Sequence, residues 1–411
     1  MLLTNLEDVQ LGMRVGASVM SPRAPDMVLL QPGAEITTPI IERLRSLGVV
    51  QLWVEHHLTA DLDAAVAPGL SQAKLAVYNH LKRDLSLMSQ KTVSTAQIHT
   101  FRRVVIDLVQ ELVANRGSGI TDQLFTADSE VFSHSSNVAY LSVLVGLELE
   151  AYLIQQRPRL SPRRARDVVA LGLAGMLHDV GKISMTSATA RHHEVLEPDP
   201  ACDMSVYGKH PTIGYKMLRS SEIPATSRQA VLNHHQRFDG SGWSDLARNR
   251  RGRRRRVQAG RRIHIFTRIV SVANVLDNLL RGDDGSQRPP VAALYDLASP
   301  RFDGWFDPVV RRTVLRCIPP FAVGSQVGLS NERAAVVTAP NLRHPCRPTV
   351  RLLEKSAGST ADQPITIDLV DRPELRVVSY AGMDVEQWLF ELPAAGAPEE
   401  ADRVIHPVEQ P

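Results

Sequence analysis

Hydrophobic positions near the N-terminus fall into short extended stretches, Leu11 to Val15 and Val28 to Leu30, ahead of the turn signal Pro32-Gly33. Behind Thr38-Pro39, the residues Ile40, Ile41, Leu44 and Leu47 recur at helical spacing. This predicts a short helix with Thr38 as cap and Pro39 at the first helical position. Gly48 stops it, and Val49 to Val54 reads as a strand, so residues 1–60 are expected to form a small α/β region. From Asp61 to Asn115 the period is helical again, through Leu75, Tyr78, Leu81, Leu85 and Met88, then Val105, Leu108, Val109 and Leu112. Residues 61–120 thus read as a helical connector folded as a hairpin, whose periodicity suits a scaffold or a homodimer face.

Residues 121–320 are mainly helical. Ser161-Pro162 predicts the start of a helix running into LAGMLHDVGK, and Pro224 the start of one ending at His234-His235. After Pro319-Pro320 the runs Gln326 to Leu329, Ala334 to Val337, Thr349 to Leu353 and Ile365 to Leu369 read as strands of a β subdomain over 321–392. The tail 393–411, rich in Ala, Pro and Glu, is expected to be disordered. No repeat of solenoid period interrupts this order. The fold class expected is mainly α: a helical bundle between a small N-terminal α/β region and a small C-terminal β subdomain.

Composition adds limits. At 411 residues the chain is long enough for about two to three domains. A hydrophobic share of 43% with 22% charged residues is that of a globular protein. The N-terminus lacks a basic start followed by an apolar run, and no stretch approaches the roughly 20 apolar residues that span a bilayer. The best candidate, Val138 to Leu147, runs into Glu148 and Glu150, so a cytoplasmic protein is expected. Cys202, Cys317 and Cys346 are widely spaced and form no CxxC, which points to free thiols. The net charge of +3 hides nine arginines and no acid between Arg248 and Arg262, the remainder being mildly acidic. That segment is either a solvated loop or a contact for an anionic partner, such as a dinucleotide, nucleic acid or acidic lipid. It has no interleaved aromatic residue to stack on bases.

The same central region gathers metal donors. Glu130 and His134 stand four apart and would share a helix face. His178 and Asp179 follow the apolar run AGML, which buries the helix behind them and leaves the imidazole and carboxylate at its end. Gly181 permits a sharp exit and Lys182 adds a cation, while His210 and His234-His235 lie further on. His56-His57 and His192-His193 lack accompanying carboxylate motifs and read as structural. The mixed nitrogen and oxygen set suits iron, manganese or zinc, with enough donors for more than one ion.

These residues carry a resemblance. HSSNV at His134, HDVGK at His178, KHPTIGYKML around His210 and HHQRFDGSGW from His234 resemble the successive motifs of the HD-GYP subgroup of the HD superfamily. The likeness extends over residues 125 to 355, including FDPVV at Phe306 and VGSQVGLSNERAAVV near the terminal strands. The first 60 residues also look like the small region that precedes many such domains. The resemblance implies an HD-type helical bundle that holds two or three divalent ions, iron or manganese, and hydrolyses the bacterial messenger cyclic di-GMP to linear pGpG or GMP. It further implies that His134, His178, Asp179, His210, His234 and His235 are metal ligands, with Glu130 as the extra carboxylate of trinuclear members. His178, Asp179 and Lys182 would form the catalytic set. Lys182 would contact the substrate phosphate or a metal-bound water, and Arg237, Asp239, Gly240, Gly242 and Trp243 would shape the substrate loop.

Three positions depart from the family pattern. Asn274, in RIVSVANVLDNLL, stands at the family's last metal aspartate, as a ligand whose amide oxygen can coordinate but carries no charge. Asp277, three residues on, either substitutes for that aspartate or matches the family segment's second one. Gln236 follows His234-His235 where the family has glutamate, and Trp243-Ser244 replaces a Tyr-Pro pair. Two expectations stand beside each other: a metal-dependent cyclic di-GMP phosphodiesterase, or a degenerate domain that binds cyclic di-GMP or a protein partner without hydrolysis.

Overall fold

The computed structural model describes residues 1–21, 27–49, 51–65, 68–85, 92–115, 130–185, 207–242, 258–282, 287–353 and 364–392. His192-His193, Cys202, Trp243-Ser244, Arg248 to Arg256 and the tail from Pro393 lie outside them, as does the side chain of Glu130.

The N-terminal strand β1 (Leu2–Asn5) pairs antiparallel with β4 (Gln51–Val54), while β2 (Val19–Met20) pairs with β3 (Val28–Leu30). Leu11 to Val15 is not a strand; it makes isolated bridges at Arg14 and Val15. The expected helix is α1 (Thr38–Ser46), with Thr37 rather than Thr38 at the N-cap position and no side-chain capping bond. Pro39 remains in its first turn, where a missing N–H costs nothing. The core of this unit, including Leu6, Val15, Ile36 and Leu44, is shared with Val323 and Val336 from the C-terminal region. Leu3 N–H donates to the Gly324 carbonyl at 2.7 Å, and Arg351 holds Asp61 through two bonds of 2.7 and 2.8 Å. The N-terminal unit and the C-terminal sheet region therefore pack on each other.

The C-terminal sheet has six antiparallel strands in the order β10-β9-β5-β6-β7-β8. Four match expectation: β5 (Gln326–Leu329), β6 (Ala334–Ala339), β7 (Thr349–Leu352) and β8 (Thr366–Asp368). β9 (Val377–Tyr380) and β10 (Met383–Asp384) were not anticipated; they are short, and both residues of β10 are exposed, which leaves little alternation to read. Cys346 is buried and free, and Cys317 is half-buried and free.

The helices lie between. α2 (Pro68–Leu85) packs on α3 (Thr95–Ala114) as the expected hairpin, and Ser94 and Gln97 close a capping box at the start of α3. α4 (Glu130–Glu148) is buried on every side from Phe132 to Gly146, its polar run Ser133 to Asn137 included. α5 (Glu150–Gln156) follows a sharp bend. The single helix expected from Ser161 is two helices, α6 (Pro162–Ala165) and α7 (Val169–Leu177). The Asp167 side chain accepts the Val169 N–H at 3.0 Å and restarts the helix there. α8 (His210–Met217), α9 (Ala225–Asn233), α10 (Ile265–Leu279), α11 (Pro290–Ala298) and α12 (Pro308–Cys317) complete the bundle. α4, α7 and α10 pack on one another, and α9 contacts both α7 and α10. No single helix among the described residues is long and apolar enough to cross a membrane.

Candidate metal centre

The helices that pack most closely also deliver the donors. His134 sits on α4, and His178 caps the C-terminus of α7, whose last seven residues are all buried. Asp179 follows directly, and Lys182 lies in the 3-10 turn Val180–Ser184. His210 opens α8, His234 caps α9 with His235 beside it, and α10 contributes Asn274 and Asp277. Gly181 makes this convergence feasible: a Cβ there would stand 2.0 Å from the His210 carbonyl oxygen and 2.7 Å from the Gly214 nitrogen.

The rings are oriented from behind. Nδ1 of His178, His210 and His234 each lies 2.8 Å from a backbone carbonyl three residues earlier, of Gly175, Tyr207 and Val231. Each Nδ1 therefore carries the proton and donates, leaving a bare Nε2 aimed inward. His134 is held in the same sense by the Asp277 carboxylate, 2.6 Å from its Nδ1. Asp277 is fixed in turn by Asn137 at 2.7 Å and Arg281 at 3.2 Å. Burial lowers the pKa of His134, partly opposed by Asp277. Burial and the neighbouring histidines push His234 and His235 well below the ordinary range, which favours neutral, ligand-ready rings.

Two donor groups result: His134, His178 and Asp179, and His210, His234 and His235. Within the first, His134 Nε2 lies 3.2 Å from His178 Nε2 and 3.7 Å from Asp179 Oδ2. Within the second, His210 Nε2 lies 3.3 Å from His234 Nε2 and 2.9 Å from His235 Nε2. Asp179 joins the groups. Its Oδ2 is 3.4 Å from His178 Nε2, and its Oδ1 is 3.2 Å from His210 Nε2 and 3.6 Å from His234 Nε2. Burial alone would raise the Asp179 pKa, but the adjacent His178 and the Lys182 ammonium hold it well below the usual carboxylate range.

The donors fit divalent ions. Ligands about 2.0–2.1 Å from a tetrahedral ion stand ~3.3 Å apart, and the observed spacings bracket that edge. The bare nitrogens of His210 and His234 face each other with no proton between them, and Asp179 Oδ1 is buried without a hydrogen-bond partner. Both features are costly without a cation and natural with one.

The altered position belongs to the first group: Asn274 Oδ1 is 2.9 Å from His134 Nε2. Asp277 instead meets the opposite edge of the same ring and orients it. Gln236 bonds Asn233 at 2.9 Å rather than joining the donors. The expected substrate loop is anchored elsewhere: Arg237 stacks on Trp305, and Asp239 N–H donates to the Gly304 carbonyl at 2.8 Å while its carboxylate accepts from Ser241. Gly240 turns the loop with a left-handed φ of 84°, and a Cβ at Gly242 would stand 2.3 Å from the His235 carbonyl oxygen. Trp243 and the side chain of Glu130 lie outside the described residues.

Sequence reasoning missed Asn137, Arg281 and Trp305. The spacing of His134 with Asn137, and of Asp277 with Arg281, marks two shared helix faces, but nothing local shows that those faces meet across about 140 residues.

A helical bundle with a histidine and aspartate centre at its helix ends defines a class, and the comparisons agree. Residues 131–279 match the model of the HD domain. The chain is 25% identical over 378 residues to cyclic di-GMP phosphodiesterase PA4108 of Pseudomonas aeruginosa, covering 85% of this chain and 84% of that protein. It is 33% identical over 244 residues to the cyclic di-GMP phosphodiesterase response regulator RpfG of Xanthomonas campestris, covering 59% of this chain and 54% of that protein. A cyclic di-GMP phosphodiesterase of Thermotoga maritima is 28% identical over 164 residues, 39% of this chain and 36% of that protein. A solved HD-GYP protein from Bdellovibrio bacteriovorus, Bd1817, aligns at a TM-score of 0.43 and 14% identity over 76% of this chain and 98% of its own. Residues 131–279 thus form an HD domain, in a chain similar to proteins named cyclic di-GMP phosphodiesterases.

Proposed function

We propose that this protein is a metal-dependent phosphodiesterase that hydrolyses cyclic di-GMP to linear pGpG or GMP. The observation that carries the reading is the pair of donor groups joined by one buried carboxylate, each spaced for a divalent ion. His134, His178, Asp179, His210, His234 and His235 are the proposed donors, and iron or manganese the proposed ions. When bound, such ions supply the charge that makes water nucleophilic near neutral pH and offsets charge on the phosphoryl oxygens. Lys182, 8% exposed and 2.6 Å from Asp179 Oδ2, places an ammonium at the edge of the donors. There it would bind a phosphoryl oxygen and hold a proton close to the departing ester oxygen. The three named relatives support the substrate. A cytoplasmic location accords with an intracellular messenger, and the α2–α3 hairpin is the proposed homodimer face.

Asn274 favours one second reading, a cyclic di-GMP receptor without turnover, because a neutral amide stands 2.9 Å from His134 Nε2 where charge is needed. Product analysis of cyclic di-GMP incubated with the Mn2+-loaded full chain separates them. Turnover that disappears in His178→Ala supports the enzyme. Binding of cyclic di-GMP with no product, in protein that holds metal, supports the receptor and sinks the enzyme.

A further inference from the structure

The two donor groups are alike in spacing and unlike in charge, and the difference lies in Asn274 and Lys182. Taking the cluster as a divalent-metal centre, on which this inference rests, we infer that the protein holds one ion tightly, between His210, His234, His235 and Asp179 Oδ1, while the His134 and His178 position is satisfied without an ion by Asn274 and Lys182.

Asp179 decides the matter atom by atom. Its Oδ2, which faces His134 and His178, is already paired with the Lys182 ammonium at 2.6 Å. A divalent ion entering that group must share or displace a buried ion pair. Its Oδ1, which faces His210 and His234, accepts no hydrogen bond. A buried carboxylate oxygen left unpartnered is costly, and a cation on that side removes the cost.

In both groups two bare nitrogens confront each other, His134 and His178 at 3.2 Å as well as His210 and His234, but only the first group has an amide set against one of them. His210 and His234 have their protons on Nδ1, donated to the carbonyls of Tyr207 and Val231, so their Nε2 lone pairs confront each other at 3.3 Å. In the other group the side-chain amide of Asn274 lies against His134 Nε2 at 2.9 Å. The two ends of an amide exchange by a flip about the last side-chain torsion. With the NH2 turned inward, Asn274 donates to the bare His134 nitrogen and closes that position with no ion present. An aspartate there has no proton to offer, and its charge would instead attract an ion. Asn274 therefore both removes an anionic ligand and supplies a substitute partner. Asp277 does not restore the charge, since it contacts His134 Nδ1 and is shared with Arg281 and Asn137.

The test counts ions rather than turnover. The full chain is stripped with chelator and titrated with Co2+ alone, with bound metal measured by elemental analysis after gel filtration and the donor set followed in the ligand-field spectrum. One tight ion per chain is expected, with any second at least about tenfold weaker. Asn274→Asp is expected to bind two, the second tightened by about tenfold or more, and Lys182→Met to shift the second ion in the same direction. His134→Ala keeps the tight ion, whereas His235→Ala loses it. Circular dichroism checks that each variant is folded. Should His235→Ala fail to fold, a Zn2+ titration of the wild type followed by imidazole nitrogen NMR takes its place, with the first equivalent moving His210, His234 and His235 before His134. Two ions of equal affinity in the wild type, no ion at all, or a single ion that depends on His134 and not on His235 would overturn the inference. One tight ion without cyclic di-GMP turnover would leave it intact and remove the proposed enzymatic function instead.

Discussion

His264 supports the metal centre from a distance, and its protonation offers a measurable test. It caps the N-terminus of α10, the helix that carries Asn274 and Asp277, by accepting the Phe266 N–H on its ring Nδ1 at 3.2 Å. That bond exists only while Nδ1 is unprotonated. Burial, then Arg157 and Arg268, lower its pKa from 6.5 to about 4. Protonation would destroy the cap and place a cation at the positive end of the helix dipole, so the direction is the one expected.

The sign follows from linkage. A histidine that resists protonation when folded contributes its full stability above pH ~6.5, and loses it progressively as pH falls toward ~4, because the unfolded chain takes up the proton first. Between pH ~7 and pH ~5 this amounts to about 2 kcal/mol. Urea unfolding of metal-free wild type and of His264→Asn, at both pH values, measures it. Asparagine caps well and does not titrate. The acid-sensitive histidines of the metal centre are present in both proteins and cancel in the difference. The wild type should lose about 2 kcal/mol more than the variant over this interval. Equal losses, or a larger loss in the variant, would refute the argument.

Three other changes have definite expected outcomes. Asp277→Ala removes the shared acceptor of His134, Asn137 and Arg281 in a buried site, and should lower stability by about 3–5 kcal/mol in denaturant titrations. A loss below ~1 kcal/mol would mean that the triad is not held by this carboxylate. Gly181→Ala drives a methyl group onto the His210 backbone and should cost about 1–3 kcal/mol by the same measurement, with weakened Co2+ binding. Unchanged Co2+ affinity would show that the α8 contact does not set the His210 position. Asp307→Ala uncaps α12 and strands the buried Arg268, which also bonds Gln156 at 2.8 Å. Its cost is about 3–5 kcal/mol, and a double variant with Arg268→Met should recover a large part of it.

How much of this was legible depends on whether the signal was local. α1, the α2–α3 hairpin, α9 and four strands of the terminal sheet follow from periodicity and from prolines and glycines at their ends. The break between α6 and α7 was hidden because the apolar period continues across it; one hydrogen bond from Asp167 makes the difference. The packing of the N-terminal unit on the C-terminal sheet region was invisible, since Arg351 and Asp61 lie 290 residues apart. In the site, donor identity was readable from motifs, and the structure brings His134, His178, Asp179, His210, His234, His235 and Asn274 together. The loop residues Arg237 and Asp239 were read for their chemistry, but their positions depend on Trp305 and Gly304, to which no motif pointed.

Asn274 and Asp277 show why spacing along a helix and function across it must be separated. Three residues advance a helix by about 4.5 Å and turn it by about 300°, so the two side chains leave α10 from neighbouring rows of one face. His134 projects from α4 between them, with Asn274 at Nε2 and Asp277 at Nδ1. From the sequence, Asp277 was one candidate to replace a missing ligand. Across the helix interface it is the group that keeps the imidazole turned inward, and moving it to the metal side would release the ring it holds. The position therefore has two separable demands, orientation of His134 and charge for an ion. Asp277 meets the first in this chain. Asn274 leaves the second unmet, at the one group where Lys182 already neutralises the shared carboxylate oxygen.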